Sequence, residues 1–371
     1  SVICSARAIP FFTIGMSQEE NNQIFTKLVD ICVQENGSDL HLSEDRVPMV
    51  RVDGFLIPLV KENKLTRENV EGFLSIILSE SNLEEFKVRK EVDFGYTHNG
   101  TARFRGNAYF ELGKISIALR LIPQKIRTIA ELNLPPILEQ FAHRQQGFFL
   151  VVGPAGHGKT TTLAALIDMI NHERLEHVIT IESPIEYIFT EDKALIDQRE
   201  VKIDTPSFHD ALRGIFRQDI DVLMIGEMRD IETISTAVTA AETGHYVMTT
   251  LHTNTASQTI ERIIDSFPAN QQNQIRVQLA GSLAGIFSQR LIPRISGGLI
   301  PAYELLINNA AVSNLIRDNR THEIDNVIET SSELGMLDLN KSLADLVRRG
   351  EITAENAFLY STDPRSLEKM M

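Results

Sequence analysis

Residues 153–160 read GPAGHGKT and fit the pattern G-x-x-x-x-G-K-[ST]. Each position has a chemical reason. Gly153, Gly156 and Gly158 let the backbone wrap an anion with its N–H groups, while Pro154, Ala155 and His157 occupy permissive positions. Lys159 reaches the β- and γ-phosphates, Thr160 carries a hydroxyl that can ligate Mg²⁺, and Thr161 follows in the first helical turn. The apolar run FFLVVG precedes the loop and an amphipathic helix, 159–171, follows it. That order sets a helix N-terminus against the anion. The expected ligands are ATP and Mg²⁺. His157 reads as a solvated loop residue.

Carboxylates and histidines supply the rest of the chemistry. VITIESPIEYI, residues 178–188, packs Glu182 and Glu186 around Ser183-Pro184. A strand over 177–181 is expected to end at Glu182, because Pro184 cannot continue a ladder. Glu182 then stands at the strand's carboxyl end and can support Mg²⁺ through water. Glu186 lies beyond the turn, where it can orient or deprotonate an attacking water. Its plain alternative is a pair with a surface base such as Lys193. DVLMIGEMRD reads as a buried strand adjoining the phosphate loop and ending in Gly226-Glu227. Glu227 there can hold Mg²⁺, directly or through water, or orient the water, or simply pair with Arg229. Asp230 is an N-cap for the helix starting at Ile231. In HYVMTTLH, His252 ends a strand at the ligand crevice and can sense the γ-phosphate, whereas His245 at the opposite end is structural.

Two kinds of element order must position these groups. Residues 18–36 and 66–80 are helical by period, SDLHLS alternates as a strand, and hairpins turn at Asp53-Gly54 and near Gly113. This is a small α+β domain over 17–123. Residues 124–146 read as a linker plus a short helix. From 147 strands and helices alternate as strand–helix–strand units, so a mostly parallel α/β sheet is expected, becoming mainly helical from about 309. The first fifteen residues, before Met16, read as an upstream extension and are set aside.

Composition narrows the function classes. The 371 residues suffice for two cores, and the net charge of −14 excludes a globally basic nucleic-acid surface. Two cysteines, Cys4 and Cys32, are too few for a disulfide framework or a cysteine zinc site. They suit a reducing cytoplasm. No apolar run is long enough to span a bilayer.

GPAGHGKTTTLAALID, TIESPIEY, GEMRDIETISTAVTAAETGH and TLHTNTA, in that order, resemble the phosphate loop, acidic box, second carboxylate motif and histidine box of the secretion ATPase superfamily. The resemblance is to its PilT-type, pilus-retracting branch. GSDLHLS and RFRGNAYF resemble the N-terminal domain of that branch, and NNAAVSNLIRD its C-terminal helix, so the likeness runs from about residue 17 to the end. It implies a PAS-like N-terminal domain, a RecA-like P-loop core and a homohexamer. It further implies ATP hydrolysis with Mg²⁺, coupled to pilin disassembly and twitching motility. The motor would sit on the cytoplasmic side at the inner-membrane pilus base, against a platform protein, with a paralogous retraction ATPase as a further partner.

By resemblance Glu186 matches the catalytic glutamate, Glu227 the second-motif glutamate and His252 the histidine box. Arg103, Arg105 and Arg120 match basic residues that reach the nucleotide when the site closes; alternatively Arg103 and Arg105 are merely solvated on one strand face. One departure stands out. Ser183 replaces the aspartate usual in the acidic box, which removes a carboxylate but keeps a hydrogen-bonding group. It opens the alternative of a low-turnover accessory retraction ATPase of the PilU type, or a nucleotide-dependent adaptor. Assembly and type II secretion ATPases carry a four-cysteine element and an extra N-terminal domain, so they fit less well.

Overall fold

The computed structural model describes residues 17–52, 54–100, 102–122 and 125–371. The extension before Met16, Asp53 of the first expected turn and Pro123 at the expected domain end lie outside these residues. The chain divides into two compact units, one of residues 1–124 with 184–188 and one of residues 125–183 with 189–371.

In the first unit, α1 (Gln18–Gln34) opens with a capping box in which Ser17 and Glu20 satisfy each other's backbone N–H groups. Strands β1 (Asp39–Ser43), β2 (Met49–Val52) and β3 (Phe55–Pro58) follow. Helices α2 (Arg67–Ile77) and α3 (Glu80–Arg89) lead into β4 (Glu91–His98), β5 (Ala102–Glu111) and β6 (Lys114–Leu121). The sheet order is β3-β2-β1-β6-β5-β4, antiparallel throughout, and the unit is PAS-like. Along β5, Ala102, Phe104 and Ala108 point into the core, with Gly106 between them where a Cβ would strike the Phe94 ring at 2.2 Å. The alternation therefore leaves Arg103 and Arg105 on the outer face.

The second unit starts at Lys125, and its first α-helix is α4 (Glu139–Ala142), preceded by Leu138. This stretch is more than a tether: Leu138 and Phe141 are fully buried, and Phe141 stacks on Phe149 with ring centroids 4.2 Å apart. Then β7 (Gly147–Val152), α5 (Lys159–Glu173), β8 (His177–Glu182), β9 (Leu195–Glu200), α6 (Phe208–Ile215) and β10 (Val222–Ile225) build the core. Next come α7 (Ile231–Glu242), β11 (Tyr246–Leu251), α8 (Ala256–Asp265), α9 (Ala269–Ser282), β12 (Leu283–Pro293) and β13 (Leu299–Ile307). The sheet runs β13-β12-β7-β11-β10-β8-β9, with six strands parallel and β13 antiparallel at one edge. This is the RecA-like α/β core. Every residue of β7 and β11 is buried because helices cover both faces. Beyond residue 309 come α10 (Ala310–Arg317), α11 (Ile324–Thr330), α12 (Leu339–Arg348), α13 (Ala354–Tyr360) and α14 (Pro364–Met370). Leu343, Ile352 and Leu367 from this helical region share a core with Ile292 and Ile300 of the sheet.

The order corrects one expectation. The strand that ends at Glu227 does not adjoin the phosphate-loop strand, because β11 lies between β10 and β7. Chain order does not fix spatial order in a parallel sheet, and a helical crossover can skip a position. The sequence pattern also leaves out α3 and β4 in the first unit and β9, α9, β12 and β13 in the second.

Candidate nucleotide site

β7 delivers the phosphate loop at the carboxyl edge of the sheet. Gly153, Gly156 and Gly158 have φ of 141°, 77° and 79°, a region that strains other residues. At Gly153 a Cβ would lie 2.3 Å from the Gln289 carbonyl oxygen, so only glycine fits. Helix α5 starts at Lys159 with Gly158 as its cap, no side-chain cap hydrogen bond and no acidic residue in its first turn. The first-turn N–H groups and the helix dipole therefore suit an anion.

Lys159 is buried, and its Nζ donates to the Gly153 and Pro154 carbonyls, each at 2.9 Å, and to His252 Nδ1 at 3.2 Å. An ammonium has no acceptor, so Nδ1 of His252 accepts and its Nε2 carries the proton. That Nε2 lies 3.1 Å from Glu227 Oε1. Glu227 also takes Arg229 Nη2 at 2.8 Å, so both readings of this glutamate, site carboxylate and arginine partner, are realised together. The structure thus joins three separate motifs in one chain of contacts, Lys159–His252–Glu227. Asp230 caps α7, and His245 donates its Nδ1–H to the Ala240 carbonyl, 3.1 Å away.

Glu182 ends β8 as expected, but it is buried, accepting from Thr180 Oγ1 at 2.7 Å and Gln198 Nε2 at 3.4 Å. Two strands, β11 and β10, separate β8 from β7. His157 is not a solvated loop residue. Its Nδ1 accepts the Leu291 N–H at 2.9 Å, and burial first, then the charges of Arg290 and Lys159, hold its imidazole below the ordinary range.

In the first unit, Arg105 Nη1 sits 3.0 Å from Glu186 Oε1, in the segment 184–188 that clusters with this unit. The base that Glu186 meets is therefore Arg105 rather than Lys193. Arg120 opposes Arg105 in the β5–β6 register and is held by Asp39 at 2.9 Å; Arg103 donates to Thr97 Oγ1 at 2.8 Å. The three arginines share the outer face of one sheet.

The donor set suits a phosphate-bound Mg²⁺. Among the described residues no group of three or more His, Cys, Asp or Glu side chains could hold a metal by themselves. Thr160 and the single carboxylate Glu227 fit an ion whose remaining ligands are phosphate oxygens and water.

One buried acid was not foreseen. Glu304 on β13 accepts the Ala256 N–H at 2.7 Å, at the start of the helix that follows the histidine loop. Burial pushes its carboxyl up to about 7, the Ala256 bond and Arg290 opposing this and Asp325 and Asp338 adding to it. A folded value raised above the unfolded one contributes stability below about 4.5 that is lost as pH rises through about 7. Glu304→Gln should therefore raise the melting temperature by roughly 3–6 °C at pH 8 and give no gain at pH 4.5. An equal shift at both pH values in thermal melts would contradict this. The signal was present as a lone acid in the apolar run LIPAYELLI.

The sheet order, glycine loop and lysine define a phosphate-loop nucleotide-binding domain. Residues 19–333 match the family described as type II/IV secretion system protein. The chain belongs to this family of secretion and pilus ATPases. It is 40% identical over 332 residues to the type IV pilus retraction ATPase PilT of Pseudomonas aeruginosa, covering 90% of this chain and 96% of the relative. It is 38% identical to the type IV pilus ATPase PilU of the same organism, over 94% of this chain and 91% of the relative. The crystal structure of the pilus retraction motor PilT with bound ADP superposes with a TM-score of 0.85 at 43% identity, covering 93% of this chain and 98% of that one.

Proposed function

We propose that this chain is a motor ATPase that hydrolyses ATP and powers type IV pilus retraction, and so twitching motility. The observation that carries this reading is the identity to a named retraction ATPase along 96% of that protein's length. The phosphate loop and its lysine are intact, and the Lys159–His252–Glu227 contacts support turnover.

In the proposed reaction, water attacks the γ-phosphorus in line, and catalysis is positioning and charge neutralisation. The loop N–H groups of Gly153 and of residues 155–161, with the Lys159 ammonium, hold the phosphate oxygens. Thr160 and Glu227 would hold Mg²⁺, with Glu182 behind them; the ion supplies further neutralisation of phosphate charge. Glu186 orients or deprotonates the water. His252, bonded to both Lys159 and Glu227, is placed to report the γ-phosphate to the carboxylate. Arg103, Arg105 and Arg120 supply positive charge. The working assembly is a six-membered ring of this chain, docked by a platform protein at the cytoplasmic face of the inner membrane and acting on pilin through it. No helix among the described residues is long and apolar enough to cross a membrane, which is compatible with peripheral attachment.

A second reading is favoured by Ser183 and by the near-equal identity to PilU: an accessory retraction ATPase of low turnover, paired with a paralogue. Deleting the gene separates the cases. The main motor's null strain becomes hyperpiliated and cannot twitch; an accessory's null strain still twitches on its own in unloaded assays. Loss of surface pili would instead indicate an assembly motor and overturn retraction. Steady-state phosphate release from the purified chain, with its mass by light scattering in the presence of ATP, checks turnover and ring formation.

A further inference from the structure

β12 outruns its partner. β7 pairs with β12 only as far as Val152 opposite Ser288, because the phosphate loop starts there, while β12 continues to Pro293. Beyond Ser288 the edge of β12 that faced β7 has no strand to pair with, and unpaired backbone groups are costly when removed from water. The phosphate loop fills that place. Gly153 lies against the Gln289 carbonyl, and the Leu291 N–H donates to His157 Nδ1 at 2.9 Å. The Gln289 side chain is buried and used at both ends: Nε2 donates to the His157 carbonyl at 2.9 Å, and Oε1 accepts from Thr162 Oγ1 at 2.6 Å. The Tyr360 ring of α13 meets the His157 ring edge-on at 6.3 Å.

We propose that His157 and Gln289 are positioning residues that clamp the phosphate loop onto the overhang of β12, and so preset the loop's anion-binding shape. The inference rests on the nucleotide-binding reading of this loop and deepens it. The imidazole is turned to the strand and not to the anion. Because a backbone N–H donates to Nδ1, the ring must be the neutral tautomer with its proton on Nε2. Its backbone carbonyl is held by Gln289, so one residue of the loop is fixed from two sides. Gln289 in turn is locked by Thr162, one turn into the helix that carries Lys159. A loop fixed this way gives up less conformational freedom when a phosphate arrives, which appears as affinity rather than as a faster chemical step.

The test compares His157→Leu, which removes the acceptor, with His157→Asn, whose side-chain oxygen can replace Nδ1, and with Gln289→Met. Two readouts are taken: binding of a fluorescent ADP analogue with steady-state kinetics, and amide hydrogen exchange of the full chain without nucleotide. The clamp predicts that His157→Leu and Gln289→Met raise Kd for ADP and KM for ATP by roughly five- to tenfold, about one hydrogen bond, with kcat little changed. Asn at 157 restores most of the affinity. In the nucleotide-free chain, the amides of Leu291, Gly153 and residues 155–158 exchange faster in His157→Leu and not in His157→Asn. Unchanged exchange and unchanged Kd in folded His157→Leu and Gln289→Met overturn the clamp. So does an equal loss in His157→Leu and His157→Asn, which would mean that the acceptor is irrelevant. If His157→Leu does not fold, Gln289→Met decides by the same two readouts. Wild-type chain that binds no adenine nucleotide would sink the functional reading instead, and the exchange data would still judge the clamp.

Discussion

Lys159→Ala is expected to lower kcat/KM for ATP by at least roughly 10²–10³-fold, the scale of removing one charged donor from a preorganised phosphate site. The ammonium touches the loop carbonyls, at 2.9 Å from Gly153 O and Pro154 O, and it also meets His252. Alanine there removes the charge that faces the phosphates and breaks the path from the loop to Glu227. The fold should survive, because the amine's partners are loop carbonyls and a half-exposed histidine rather than the apolar core. Fluorescent-nucleotide binding and phosphate release, with circular dichroism as the check on folding, give the result. A folded variant with wild-type turnover would remove the phosphate loop from the reaction.

Glu186→Gln should retain nucleotide affinity and ring formation while turnover falls by roughly 10²–10⁴-fold, the usual worth of a positioned general base. The pair that Glu186 makes with Arg105 is 47% and 32% exposed on its two sides, so its loss costs at most about 1 kcal/mol and leaves the rate effect readable. Glu182→Gln makes the contrast. Glu182 is 3% exposed and accepts from Thr180 and Gln198, so its substitution is expected to cost stability more than rate. Single-turnover kinetics and thermal melts on both variants separate the roles. If Glu186→Gln turns over normally and Glu182→Gln is inactive, the two assignments exchange places.

The glutamates show how the two sources of information divide. That Glu182 ends a strand and that Pro184 turns the chain away are local facts, set by a proline that cannot donate to a ladder. What each carboxylate meets is not local. Arg105 lies 81 residues before Glu186, and Gln198 reaches Glu182 from the neighbouring strand.

The rest of the molecule follows the same division. The phosphate loop is legible in the residues alone, because glycine at positive φ and lysine at a helix start are short-range requirements. So are the alternation that turns Arg103 and Arg105 outward on β5, the cap at Asp230 and the two classes of sheet, since period and element order are written along the chain. The folded chain alone reveals that β11 separates β10 from β7, that Lys159, His252 and Glu227 form one line of contacts, and that Glu304 is buried against Ala256. It alone placed Gln289 under the phosphate loop, 132 residues along the chain from His157. The physical reason is that strand neighbours in a parallel sheet are chosen by crossover helices and shared core packing, terms summed over the whole domain, whereas turn, cap and loop geometry depends on a few adjacent backbone angles.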